Sequence, residues 1–501
     1  MSLPRLIKKH GEIRFRSEEE LVIRKLSQKE HQVVACGGSI SEPSGQRLQP
    51  LKEQGYFVLL QAPPEVILQR ISRKSNRAMP LSRVDKENIA ALLEQRQQPY
   101  AENADLIVNT GINPDKGQDV VITAGFDQLD FVRMVTEKCY QRGVGKVWFN
   151  WVDMPLEKLH YLYQSEERLS NFEQWEVEKL RWQADKLPAR LWLDSDDPDG
   201  MDGIDPEKRA KAQMAKFPVI KPFRDKMENR HQWCIAGVPG VKWAKKVFPQ
   251  LSEEEAVEKL WDAILTASRA NGDAIANWQE HNAAIAMRSK KLNEYHFTAL
   301  EYKADNGTDF RIGLMPQALF AGAAETDLYG RTFNPNIPSE EIFTSPRKGD
   351  ADGILVATKP LSYQGSLIEN FSIRFENGKA VEVHAEKNQA VLEKMISMDE
   401  GAAYLGECAL IGCDSPINRS GILFWNTLYD ENASCHVALG RGFDCCIKDF
   451  DKYSKEELTA MGLNDSMIHV DFMIGCDTMD IDGVTGSGEK IPVFRKGLWC
   501  F

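Results

Sequence analysis

The sequence predicts α/β parts followed by an α+β, strand-rich domain, and three observations carry that expectation. Continuous apolar runs such as Tyr56-Phe57-Val58-Leu59-Leu60 and Val120-Val121-Ile122-Thr123 suit strands buried on both faces of a parallel sheet. Segments with helical periodicity separate them. After about residue 295 apolar and polar residues alternate, the period of half-buried antiparallel strands. A chain of 501 residues has room for two to four domains at about 100–200 residues each.

In chain order, Ser17-Glu18-Glu19-Glu20 is a capping box opening a helix with Leu21, Val22 and Leu26 inward. Val33-Val34-Ala35 is a short strand ending in Gly37-Gly38, and a polar loop at 41–50 leads to the next strand. A second α/β section runs from about Asp119 to residue 290. Its strands are Val120-Val121-Ile122-Thr123 and Val147-Trp148-Phe149, with a helix around 131–140 between them. Residues 194–206 contain six Asp but lack the closing Glu of a calcium loop, so they are read as solvated surface rather than a metal site. Ser252 and Glu255 cap a helix carrying Val257, Leu260, Ile264 and Leu265. Phe371, Ile373 and Phe375 form one strand, Asn377-Gly378 a type I′ turn, and Val381 and Val383 the returning strand.

Charge marks a seam. The chain has 62 Lys and Arg against 74 Asp and Glu, net −12, which argues against nucleic acid and anionic membrane surfaces as partners. Residues 1–108 carry 17 against 13, net +4, and the remainder 45 against 61, net −16. No apolar run approaches the ~18 residues of a membrane span, and the first ten residues lack the apolar stretch of a secretory signal. Ten cysteines without a Cys-x-x-Cys pair are read as reduced, mostly buried thiols of a cytoplasmic protein.

Several residues invite chemistry. In His469-Val470-Asp471, followed by apolar Phe472, a strand would point the imidazole and the carboxylate to one face, as two metal ligands need. From that tripeptide alone, a core histidine bonded to its neighbouring Asp is the commoner arrangement. His436 follows the polar run Asp430–Cys435; adjacent Cys435 and His436 would face opposite sides of a strand, which disfavours a thiol-protease dyad. Glu407 sits among Leu, Gly, Cys and Ala, where a charge is costly unless paired or metal-bound. With Glu340 and Glu341 these residues form a donor set for Zn²⁺, Co²⁺ or Mn²⁺.

Residues 105–501 resemble the aminopeptidase T/S (aminopeptidase II-type) metallopeptidases. The likeness rests on Lys116-Gly117-Gln118, Gln232-Trp233-Cys234-Ile235-Ala236, Gly307-Thr308-Asp309 and Thr358-Lys359-Pro360-Leu361. It is strongest at Pro335-Asn336-Ile337-Pro338-Ser339-Glu340-Glu341, in the run from Gly421 to His436, and at His469–Gly475 and Asp480-Ile481-Asp482-Gly483. The resemblance implies two divalent ions held by Glu341, Glu407, His436, His469 and Asp471, peptide substrates with a free N-terminus, and a homodimer. Glu340, an unassigned acid beside a ligand, is a candidate general base. Phe443 stands where the family has a tyrosine, which removes a hydroxyl able to stabilise a developing oxyanion.

Residues 3–108 resemble shikimate kinase, through Gly11-Glu12, Phe15-Arg16 and Glu19, then Ala35-Cys36-Gly37-Gly38-Ser39, Arg73, Arg77 and Pro80, and Arg96 with Pro99-Tyr100. The phosphate-binding Gly-x-x-x-x-Gly-Lys-[Ser/Thr] loop occurs nowhere in the chain, so this is a truncated P-loop-kinase-like unit for which no nucleotide is expected. Arg16, Gly37, Gly38 and Arg96 would be a vestigial ligand site. The domains expected are 1–108, 109–294 and 295–501. The function expected is a metal-dependent aminopeptidase. The alternative is a weakened fusion whose N-terminal part binds a small carboxylate or transfers phosphate.

Overall fold

The computed structural model describes residues 98–322, 324–363 and 366–501. The helix expected after Ser17, the strands at 33–35 and 56–60, and Arg16, Gly37, Gly38 and Arg96 lie outside the described residues. The chain divides into two compact units, Met1–Gln98 and Pro99–Phe501, and the second carries everything below.

That unit has two main cores. The first surrounds a parallel sheet of Val120–Gly125 (β1), Val147–Val152 (β2), Ala189–Asp194 (β3) and Trp233–Gly237 (β4), in the order β4-β3-β1-β2. Asn336–Ile337 adds a short parallel strand beyond β4. Every residue of central β1 is buried, as its unbroken apolar run requires. β2 behaves differently because it is an edge strand: Trp148 and Phe149 are 40% and 41% exposed, and Phe149 stacks on Trp151 instead of entering a core. The helix expected at 131–140 is Leu129–Gln141. Ser252 and Glu255 form the expected capping box on Glu253–Ala267, which buries Leu260, Ile264 and Leu265.

Ala104, Leu106, Ile107 and Val108 are fully buried in this same core. Residues 99–108 therefore pack as part of the second unit, upstream of the boundary drawn at 108 from the sequence. The core also takes in Ile417, Phe424, Leu428, Tyr429 and Ala433, so the chain returns to the first sheet late in the sequence.

The second core lies between a nine-stranded, antiparallel sheet and a smaller antiparallel sheet. The large sheet contains the hairpin of Ser366–Glu376 and Lys379–Lys387. Asn377 and Gly378 at its turn have φ of 49° and 81°, both positive as a type I′ turn demands. Phe371, Ile373 and Phe375 are buried as expected. Val381 is not: a register shift between Arg374 and Phe375 brings Ala380 inward and leaves Val381 45% exposed. The smaller sheet comprises Ile342–Thr344 (β5), Leu405–Leu410 (β6), His436–Gly440 (β7) and His469–Met473 (β8) in the order β8-β7-β6-β5, with Ala321–Gly322 beyond β5. The nine cysteines among the described residues are free thiols.

Candidate metal centre

Alternation along the small sheet builds the site. Cys408 and Leu410 of β6, Val437 and Leu439 of β7, and Phe472 of β8 enter the second core. Residues between them face the other way, so Glu407, His436, His469 and Asp471 share one face. Register brings them level: Glu407 pairs with Ala438 and Ala438 with Asp471, while His469 lies opposite Gly440. Gly440 has a φ of 106°, and a Cβ there would meet the Ile468 carbonyl at 2.1 Å, so a side chain would push β7 away from the strand carrying His469. Glu341 enters immediately before β5, where Ile342 takes the core side.

The five side chains form two overlapping groups, Glu341–Glu407–His436 and Glu407–His469–Asp471, and the donor atoms within each lie inside 4.8 Å of one another. His436 Nε2 is 3.4 Å from Glu341 and 3.9 Å from Asp471. His469 Nε2 is 3.1 Å from Glu407 and 3.4 Å from Asp471. Each imidazole is oriented from behind: His436 Nδ1 donates to the Glu431 carbonyl at 2.9 Å, and His469 Nδ1 to the Arg441 carbonyl at 2.7 Å. That leaves both Nε2 atoms turned toward the carboxylates, the second-layer arrangement that metal-ligating histidines use. Asp471 Oδ1 is buried without a hydrogen-bond partner. An orphaned carboxylate oxygen beside two imidazole nitrogens fits a divalent cation.

The electrostatics agree. Burial pushes Glu407 above the usual carboxylate range, with Glu341 and Asp471 adding to the rise against the pull of His469. Burial works to lower His436, yet Glu341, Asp471 and Glu407 outweigh it and hold the imidazole up at about 10. Acids this closely gathered need positive charge between them.

Glu340, the candidate base, is turned away from the site. Its carboxylate is gripped by Arg269, with one Nη2–Oε2 contact at 2.9 Å, and it does not line the cavity. Adjacent residues diverge here as they do in any extended segment, so Glu341 faces the site and Glu340 the opposite side. The pair is structural: Arg269 with Glu340, the Glu340 amide to Asn432 at 2.7 Å and His281 to the Ser339 carbonyl at 2.7 Å fix the turn that delivers Glu341. Phe443 does face the site, its ring 4.8 Å from that of His469.

The site opens into a cavity of about 820 Å³ that the small sheet shares with β3 and β4. Acids on its wall that were not singled out from the sequence include Glu431, Glu325 and Asp444. Glu431 is pushed well above its ordinary range by burial and by Asp471, Glu341 and Glu407. Its neighbour Asp430 is spent on structure, accepting from the Phe424 and Asn426 amides at 2.9 and 3.2 Å. The acidic loop is only partly the solvated surface expected. Asp194 turns into the cavity and accepts from Asn426 at 2.7 Å, and Asp196 is pushed up to about 7 by burial and by Asp194.

Residues 95–499 match the thermophilic metalloprotease (M29) family. The chain is 42% identical to aminopeptidase AmpS of Bacillus subtilis over 409 residues, 81% of this chain and 99% of that one. The chain belongs to the M29 family. The solved structure of wild-type AmpT from Thermus thermophilus superposes with a TM-score of 0.75 at 37% identity, covering 81% of this chain and all of that one. As an M29 metallopeptidase it is a hydrolase that works with divalent metal ions, and the buried Glu, His and Asp donors are where this chain can hold them. Residues 1–125 match shikimate kinase, overlapping the M29 match at 95–125. A shikimate kinase of Pelotomaculum thermopropionicum is 41% identical over 111 residues, and the chain spans 63% of its length. No helix among the described residues is long and apolar enough to cross a membrane.

Proposed function

We propose that this M29 metalloaminopeptidase holds two divalent ions, Zn²⁺, Co²⁺ or Mn²⁺, between Glu341, Glu407, His436, His469 and Asp471, and removes N-terminal residues from peptides. The observation that carries the ligand set is the orphaned Asp471 Oδ1 set between His436 and His469. When bound, the ions supply polarisation of the scissile carbonyl and a water acidic enough to attack near neutral pH.

This chain's own residues do the rest. Glu431 replaces Glu340 as the base: it lines the cavity, it has no structural task of the kind that occupies Asp430, and its raised proton affinity suits a group that takes a proton from water and passes it to the leaving amine. Glu325 and Asp444 receive the α-ammonium of the substrate. Glu325 is pushed up to about 7 by burial and by Glu341 and Asp444, so a cation beside it relieves that repulsion. Phe443 packs on His469 and offers no hydroxyl, so the oxyanion lacks a donor there. The free thiols suit a reducing, cytoplasmic compartment, and the homodimer rests on the family resemblance alone.

The test is hydrolysis of leucine p-nitroanilide. Activity should vanish with a chelator and return with Zn²⁺, Co²⁺ or Mn²⁺, with about two ions per chain by metal analysis. No turnover with any added metal would sink the reading.

A further inference from the structure

The cavity gathers its acids most densely at the metal face, and the facing wall carries charges of both signs. Opposite the metal face, alternation along β3 turns Arg190, Trp192 and Asp194 toward the cavity while Ala189, Leu191 and Leu193 enter the first core. Four arginines line this space, and among the described residues Arg441 has an ion pair, with Glu228. Arg209 and Arg224 keep buried nitrogens without hydrogen-bond partners but lie in the field of acids, Asp196 for Arg209 and Glu228 and Asp225 for Arg224. Arg190 differs in that no acid acts on it, and among the described residues its guanidinium has no ion pair and no hydrogen bond. Burial alone acts on it, pulling it below the ordinary arginine value. His231 beside it is held down at about 4, chiefly by burial with Arg190 and Arg331 adding to it, so it stays neutral.

A half-buried guanidinium without a counter-ion is costly, and its fork of donors matches a carboxylate. Trp233 lies opposite Arg190 in the β3–β4 register and Trp192 two residues along, so the charge is framed by aromatic surface. Both ends lie in a single space of about 820 Å³, within the range that encloses one small ligand. A short peptide is a zwitterion, with an ammonium for the carboxylates at the metal face and a carboxylate for the arginine. We propose that Arg190 is the subsite for the free C-terminal carboxylate of a short peptide whose N-terminal bond lies at the metal centre. The inference rests on the aminopeptidase reading and narrows it to short peptides with a free C-terminus.

The test compares Leu-Gly-Gly with its C-terminal amide in the metal-loaded full chain. The wild type should favour the free acid by about 10- to 100-fold in kcat/KM, expressed in KM, as one charge-assisted contact supplies. Arg190→Gln should bring that ratio to about one, and Arg190→Lys should restore part of it. Because the readout is a ratio, a general loss of fold or metal cancels. An unchanged ratio in Arg190→Gln, or a wild-type ratio near one, overturns the proposal. If neither peptide nor leucine p-nitroanilide is cleaved, the peptidase reading fails on its own. Calorimetric binding of the two peptides to the chelated chain then decides the subsite, which stands only if the wild type prefers the free acid and Arg190→Gln does not.

Discussion

The two walls of the cavity do their work by opposite means. The metal wall is an antiparallel sheet that turns two Glu, two His and one Asp toward each other, leaving one carboxylate oxygen unanswered. The facing wall is parallel and aromatic and carries charges of both signs, among them Arg190, which no acid answers. One face gathers negative charge that only an ion can reconcile, and the other separates its charges by tryptophan. Chemistry concentrates where like charges are forced together, and recognition where a charge is left alone.

The sharpest way to break this contrast is to remove the ligand common to both donor groups. Glu407→Ala should lose at least one metal per chain and on the order of a thousandfold in activity while keeping its fold. Full metal occupancy in the purified variant would refute the assignment. Glu431→Gln should keep its metal and lose about 100- to 10,000-fold in kcat; a rate within threefold of wild type would return the base to an unidentified group.

Proton competition sharpens the contrast further. Below about 10 the metal-free His436 carries a proton that metal must displace, so affinity should rise with pH well past the ordinary histidine value of about 6.5. Competition with a chelator between pH 7 and 8.5 should show about a tenfold gain per unit for each proton released. A plateau above 7 would mean that His436 is already neutral. The smallest effect belongs to Phe443→Tyr, which restores a hydroxyl beside His469 and should raise kcat by about tenfold or less without altering metal content. An unaltered kcat would show that the oxyanion is served elsewhere.

What could be read from the sequence followed periodicity. The Asn377-Gly378 hairpin, the Ser252 cap and the His469-x-Asp471 pair depend on neighbours within a few residues, and all took the expected form. Cys435 and His436 diverge as adjacent strand residues must, with Cys435 in the core and His436 in the site. What escaped depends on tertiary geometry. Nothing local separates Glu340 from Glu341, and the position of Arg269, 71 residues upstream, decides which of them faces the donor cluster. Asp430 and Glu431 present the same difficulty, with the Phe424 and Asn426 amides as the deciding partners. Arg190 carries no local signal either, because its role comes from the cavity in front of it. A register shift misplaced Val381 for a similar reason, since a bulge belongs to a strand pair and to neither strand alone.

The ties from the two imidazoles to the carbonyls of Glu431 and Arg441 carry one more consequence. Both carbonyls belong to residues whose side chains line the substrate cavity. Main-chain movement at either residue therefore rotates an imidazole, so a peptide settling against this wall would alter the ligand field of a Co²⁺-substituted centre. The visible absorption of the cobalt form would act as a built-in reporter of cavity occupancy, readable with a peptide that binds without being cleaved.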